Sequence, residues 1–189
     1  MVNLWLVRHG QTDWNLTGRW QGQASEAPGL NETGRKQASV ASEKMKGMEI
    51  SAIYSSDLLR AKQTAEAIAV PLELPVILEP RLREINLGVW EGMPSEDIEM
   101  QYPQELADRA RDPFHTHAPN GESPYEVAER VLKAVNEIAD RHRDESVLIV
   151  AHGISLAVII CHAEGFPVED VYQHIPDNAK PYRVDWDDL

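Results

Sequence analysis

Two stretches of the chain are apolar without interruption, and each ends in the same dipeptide. Residues 3–8 run into His9-Gly10, and Ser146–Ala151 runs into His152-Gly153. Shorter stretches of the same kind lie at 51–55 and 75–78, with a weaker one at 183–186. Apolar runs without polar alternation predict strands covered on both faces, as in a parallel sheet. Between them the spacing becomes helical. Asn31 is a natural N-cap for a helix to about Lys46, stopping near Gly47. Residues 57–70 carry Leu58, Leu59, Ala61, Ala65 and Ile68 on one face, and Pro71 is expected to end that helix. Ser123-Pro124-Tyr125-Glu126 has the form of a capping box with proline at the first helical position. Val127, Val131, Ala134, Val135 and Ile138 then continue one apolar face to about His142. A last helix follows Gly153.

Strand and helix alternate, which predicts an α/β fold: a three-layer sandwich with a mostly parallel central sheet flanked by helices. Residues 93–120 break the alternation. They are polar and contain Pro94, Pro103, Pro113 and Pro119, so they read as a small inserted cap, helical in part around 95–100. At 189 residues, without linker, repeat or low-complexity tract, the chain reads as a single domain over 1–189.

Composition narrows the partners. Hydrophobic residues make up 42% and charged residues 26%, with a net charge of −13. No basic cluster is present, which argues against nucleic acid. So acidic a chain repels anions at long range, so any phosphate site must be a local island of arginine and histidine. The N-terminal apolar run is too short for a signal peptide and lacks a basic leader. The run from Val147 to Ala163 is broken by His152-Gly153 and contains His162, which reads as a strand and a helix and not a membrane span. Cys161 is the one cysteine, compatible with a reducing compartment. The cytoplasm is the expected location.

The candidate chemistry starts from the two His-Gly ends. Ligands of open α/β sheets bind at the carboxyl ends of the strands, so His9 and His152 can reach one crevice. Gly10 and Gly153 would let the backbone turn sharply and approach a ligand. Other candidates carry less. His115-Thr116-His117 has no ordered carboxylate or cysteine partners for a metal and reads as a solvated loop. Cys161 reads as a packed thiol. Trp5, Trp14, Trp20, Trp90 and Trp186 are scattered without interleaved basic residues, as core or pocket wall.

The segment Leu6-Val7-Arg8-His9-Gly10-Gln11-Thr12-Asp13-Trp14-Asn15 resembles the signature of the histidine phosphatase superfamily, which includes the cofactor-dependent phosphoglycerate mutases. The resemblance continues through Arg19-Trp20-Gln21-Gly22, Leu30-Asn31-Glu32-Thr33-Gly34 and Tyr54-Ser55-Ser56-Asp57-Leu58-Leu59-Arg60-Ala61. It extends over Leu82-Arg83-Glu84-Ile85-Asn86-Leu87-Gly88, Trp90-Glu91-Gly92, Gly121-Glu122-Ser123 and Val150-Ala151-His152-Gly153. These motifs stand in the family's order across most of the chain.

The resemblance implies a role for each matching residue. His9 would be the nucleophile that becomes phosphohistidine, kept neutral by Arg8 and Arg60, whose planar guanidinium forks suit phosphoryl oxygens. His152 would donate hydrogen bonds to the transferring group, and Glu84 would protonate the leaving oxygen. Asn15, Gln21, Gly22 and Gly153 would contact substrate, while Glu91 reads as structural. No metal and no cofactor are implied. The expected partners are a small phosphorylated substrate and inorganic phosphate as product, with no membrane and with a homodimer as an allowed assembly. The short cap and the short stretch after His174 make the chain look more like the short bacterial broad-specificity and α-ribazole-phosphate phosphatases than like a mutase. A phosphoglycerate mutase-type phosphotransferase is the alternative, and a phosphate-binding module without turnover is a third reading.

Overall fold

A computed structural model describes residues 1–187 of the chain. The apolar runs become β1 (Val2–Arg8), β2 (Ala52–Ser55), β3 (Val76–Leu78) and β4 (Ser146–Ala151), and the weak final run becomes β5 (Tyr182–Trp186). They form one sheet in the order β3-β2-β4-β1-β5. The first four are parallel, and β5 lies antiparallel against β1 at the edge.

The unbroken apolar character of β4 has a simple cause. Val147, Ile149 and Ala151 point into one core, and Leu148 and Val150 into the other. The first core is closed by α6 (Pro124–Arg141) and α7 (Gly153–Glu164), the second by α2 (Glu32–Met45) and α3 (Leu59–Leu72). Each fully buried aliphatic side chain contributes about 1.5–3 kcal/mol, so polar residues on either face would be costly. This is the three-layer α/β arrangement expected from the pattern.

Helix ends mostly follow their local chemistry. Asn31 Oδ1 caps α2 by accepting from Gly34 N at 2.8 Å, and Ser123 and Glu126 close a reciprocal capping box on α6. A short α1 (Asp13–Leu16), capped by Thr12, lies in the first motif, where no helix was expected.

Two expectations need correction. Helix α3 starts at Leu59, because Asp57 is held outside it by the guanidinium of Arg83 at 2.6 Å. Nor does Pro71 stop the helix, which continues to Leu72 and leaves through Glu73 at a φ of 54°. A proline there removes the N–H that would bond the carbonyl four residues back. That carbonyl, of Ala67, instead accepts from Ser42 Oγ on α2 at 2.9 Å, so the lost bond is replaced from the neighbouring helix.

The 93–120 stretch is more helical than its prolines suggest. It holds α4 (Ser95–Gln101) and α5 (Pro103–Arg111), and Pro103 opens α5 from the first turn. Among the described residues no helix is long and apolar enough to cross a membrane.

Candidate active site

Strand register brings the two histidines together. Arg8 on β1 lies opposite Ala151 on β4, so the next residues, His9 and His152, emerge side by side with ring centroids 5.2 Å apart. His9 is almost fully buried and held on every side. Its main-chain N–H donates to Ala151 O at 3.0 Å, and its carbonyl accepts from Asn178 Nδ2 at 2.7 Å. The ring contacts Gly10 O through Nδ1 at 2.7 Å. A carbonyl only accepts, so Nδ1 carries the proton and Nε2 presents its lone pair. Nε2 accepts from Arg60 Nε at 3.2 Å. Burial first, then the charges of Arg60 and Arg8, hold His9 well below the ordinary histidine value, against the opposing bond to Gly10. The imidazole is therefore neutral near pH 7.

His152 is buried, and its Nε2 lies 2.8 Å from Ser56 Oγ. Ser56 Oγ also accepts from Leu58 N at 3.3 Å; with the Ser56 hydroxyl donating to Nε2, the ring proton lies on Nδ1. That Nδ1 is buried without a protein partner. Burial, followed by Arg60, His9, Arg8 and Arg130, keeps this ring neutral too.

Arg60, the second residue of α3, is buried beside His9 and gives a second bond from Nη2 to Gly22 O at 2.8 Å. Burial pulls its pKa down to about 10, with Glu84 opposing, so it stays a cation. Thr64 ties this turn to β1: its Oγ donates to Arg60 O at 2.8 Å and accepts from Gly10 N at 3.0 Å. Arg8 donates from Nη1 to Pro176 O at 3.1 Å, while its buried Nε has no acceptor. Gly10 is needed for closeness, not for a sharp turn. A Cβ there would lie 2.5 Å from Gly34 O.

Glu84 reaches the N-terminus of α7. Oε1 accepts from Ile85 N at 3.0 Å and from Ile154 N at 3.1 Å, and Oε2 shares the latter at 3.3 Å. Gly153 gives this carboxylate room, since a Cβ would sit 3.3 Å from Oε2. The main chain of Glu84 is clamped by a residue the sequence did not single out. Arg130 on α6 donates to the carbonyls of Arg81, Arg83 and Glu84 at 2.7, 2.8 and 2.9 Å, and Glu122 holds the same guanidinium. Gln23 Nε2 adds a second bond to Glu84 O at 2.8 Å.

Helix α1 and the loop after it form one wall. Asn15 Oδ1 accepts from Thr12 N at 3.0 Å, and Gln21 Oε1 from Thr12 Oγ at 2.9 Å. Gly22 has a φ of 48°, and a Cβ there would collide with the Glu91 carboxylate. Glu91 Oε1 accepts from Gln23 N at 2.7 Å and Leu87 N at 3.0 Å, so it joins two loops.

Arg8, His9, Asn15, Gln21, Gly22, Arg60 and Glu84 line one cavity of about 350 Å³. Arg19, Trp20 and, from outside the motifs, Arg109, Tyr172 and Ile175 complete it. Arg8, Arg19, Arg60 and Arg109 have no carboxylate within 4 Å among the described residues, and Glu84 is the only carboxylate in the lining. This is the cationic island that a chain of net charge −13 requires. Two of the tryptophans, Trp90 in the core and Trp20 in the pocket wall, meet a basic residue, since Arg109 lies over both rings. Sequence spacing hid that contact because the cap delivers it. His115 pairs with Asp112, and His117 with Ala118 O. Among the described residues no group of three metal-ligating side chains converges. Burial, then Asp170, pushes the Cys161 thiol up to about 11.

The model of the histidine phosphatase superfamily, branch 1, matches residues 4–188. Phosphoserine phosphatase 1 of Hydrogenobacter thermophilus is 35% identical over 179 residues, 95% of this chain and 84% of that protein. A probable phosphoglycerate mutase of Erwinia tasmaniensis is 35% identical over 188 residues, 98% of this chain and 85% of its own. The α-ribazole phosphatase of Shigella flexneri superposes with a TM-score of 0.89 at 27% identity, covering 98% of this chain and 91% of that one. The chain belongs to the histidine phosphatase superfamily, branch 1.

Proposed function

We propose that this enzyme is a metal-independent phosphomonoester hydrolase that acts on small phosphorylated metabolites through a phosphohistidine at His9. The observation that carries this reading is the state of His9. Its Nδ1 is spent on Gly10 O and its ring is held neutral, so Nε2 is a fixed nucleophile. An arriving phosphate draws Arg60 Nε from that lone pair to a phosphoryl oxygen. The buried donors Arg8 Nε and His152 Nδ1, which lack acceptors, supply further bonds to the anion. An unpaired buried donor costs about 1–3 kcal/mol, which anion binding recovers.

In the first step the Nε2–P bond forms, the P–O bond to the organic group breaks, and Glu84 gives its proton to the leaving oxygen. Oε2 is the less constrained oxygen to carry that proton, since Oε1 accepts from two amides and Oε2 only shares that of Ile154 at 3.3 Å. In the second step Glu84 takes a proton from water as the water oxygen bonds phosphorus and the N–P bond breaks. Alcohol and inorganic phosphate leave. Asn15, Gln21, Gly22 and Gly153 shape the contact with substrate.

The test is to trap the intermediate. Wild type incubated with radiolabelled phosphoester and quenched in base should hold acid-labile, base-stable label, undiminished by excess chelator. His9→Ala should hold none and lose about 10⁴-fold or more in turnover. Label that persists in His9→Ala, or activity lost to chelator and restored by one divalent ion, would refute the reading. The similarity to a probable phosphoglycerate mutase keeps a second reading open. Return of label to an added hydroxy acid in preference to water would establish transferase activity.

A further inference from the structure

The cavity has a second cationic end that the phosphoryl chemistry does not use. Arg109, near the end of cap helix α5, lies with its guanidinium 5.2 Å from the Trp20 ring centroid, 5.7 Å from Trp90 and 5.5 Å from Tyr172. Its Nη2 donates to Tyr172 Oη at 2.6 Å. Three rings and one hydroxyl thus fix the position of the charge without neutralising it. Nε and Nη1 have no acceptor, and no carboxylate lies within 4 Å, among the described residues. Its neighbour Arg111, by contrast, pairs with Asp108 on the surface. Arg19 also lines the cavity, with Nη1 on Gly92 O. Ile85, Leu87, Ile154 and Ile175 supply an apolar wall to the same cavity.

A half-buried arginine in a site open to ligand, given no counter-ion by a chain rich in acids, is placed to receive one from outside. We propose that Arg109, supported by Arg19, forms a second anion subsite, and that the substrate is a phosphate monoester whose organic part carries a carboxylate. This rests on the hydrolase reading above. Two observations favour a carboxylate over a second phosphate. The phosphoryl end gathers Arg8 and Arg60 with two histidines, whereas this end offers one half-buried arginine and one exposed one. Each already gives one nitrogen to the protein, which leaves donors suited to a single charge shared by two oxygens.

The experiment compares alkyl phosphates with ω-carboxyalkyl phosphates and alkanediol bisphosphates over a homologous series of chain lengths. In wild type the carboxylate should raise kcat/KM at the best length by about tenfold to a hundredfold over the plain alkyl ester, the range of a charged hydrogen bond. Arg109→Gln should collapse that ratio towards one, Arg109→Lys should restore part of it, and Arg111→Gln should leave it unchanged. Because the readout is a ratio within each variant, a general loss of activity cannot imitate it. No carboxylate preference at any length, or a ratio that survives Arg109→Gln, overturns the subsite. A ratio dependent on Arg109 with bisphosphates alone overturns the carboxylate assignment. If wild type hydrolyses none of the esters, the hydrolase reading fails by itself. Calorimetric Kd values for the same pairs then decide the subsite by the same ratio.

Discussion

The floor of the cavity and its cap end both present arginine, yet they are built in different ways. At the floor, His9 and Arg60 are fixed by three main-chain carbonyls, Ala151 O, Gly10 O and Gly22 O, and by the side-chain amide of Asn178. At the cap end, Arg109 is fixed by aromatic faces and one hydroxyl, and Arg19 by one carbonyl. The floor cannot change without disturbing the sheet. The cap end rests on side chains of two short helices and a loop, which substitution can alter at little cost to the fold. On the proposed reading, reaction type and substrate choice occupy separable parts of one pocket.

The sharpest way to break that separation is to ask which end responds to the leaving group. Glu84→Gln should lower kcat/KM for an alkyl phosphate by roughly 10²–10⁴, the usual range for a general acid. A nitrophenyl phosphate, which expels a stable phenolate, should lose clearly less. Glu91→Gln should not discriminate between the two esters, since that carboxylate joins the loops of Gln23 and Leu87. Equal losses for both esters in Glu84→Gln would mean that the residue positions without donating. Leaving-group sensitivity in an Arg109 variant would mean that the two ends do not act separately.

The same contrast governs what could be read from the chain alone. His9, His152 and Arg60 sit at strand ends or in the first turn of a helix, and Glu84 in a local motif, so their convergence on one site was legible from the chain. Even there one reason was wrong, because Gly10 answers to the backbone of Gly34, distant in sequence. Pro71 was misread for the same kind of cause: only α2 could supply the Ser42 hydroxyl that lets α3 continue. Arg130, Asn178, Tyr172 and Arg109 were missed because packing gives them their meaning. Nothing local separates Arg109, over two indoles, from Arg111, paired on the surface two residues later.

A smaller effect is expected from removing one floor cation. Arg60→Ala should cost about 10²–10³ in turnover, comparable to the loss of one preorganised donor to a developing anion. It should also weaken competitive inhibition by vanadate, whose five-coordinate form imitates the transition state. Arg60→Lys should restore only part of both, because an ammonium cannot bond His9 and Gly22 O from one planar fork. Full recovery in Arg60→Lys would reduce the residue to a point charge and weaken the claim that the floor is geometrically fixed.

The smallest expected change is a shift in proton affinity, and it separates the two arginine pairs most directly. Burial lowers the His9 value most, and Arg60 and then Arg8 lower it further, whereas Arg109 is not among the causes. A neighbouring cation disfavours imidazolium, so removing it must raise the pKa. In ¹⁵N spectra of the imidazole nitrogens, His9 of wild type should titrate well below 6.5, the ordinary value. Arg60→Gln should move that titration upward, though burial still keeps it under the ordinary value, and Arg109→Gln should leave it in place. The sign for stability follows from the same shift. Below about pH 6.5 the unfolded chain binds a proton at His9 that the folded chain refuses, so stability falls as pH falls through that window. Arg60→Gln, by raising the folded value, should make the fall shallower. A His9 titration that moved as far in Arg109→Gln as in Arg60→Gln would show that the cap cation acts on the nucleophile, and the two ends of the cavity would then have to be treated as one electrostatic unit.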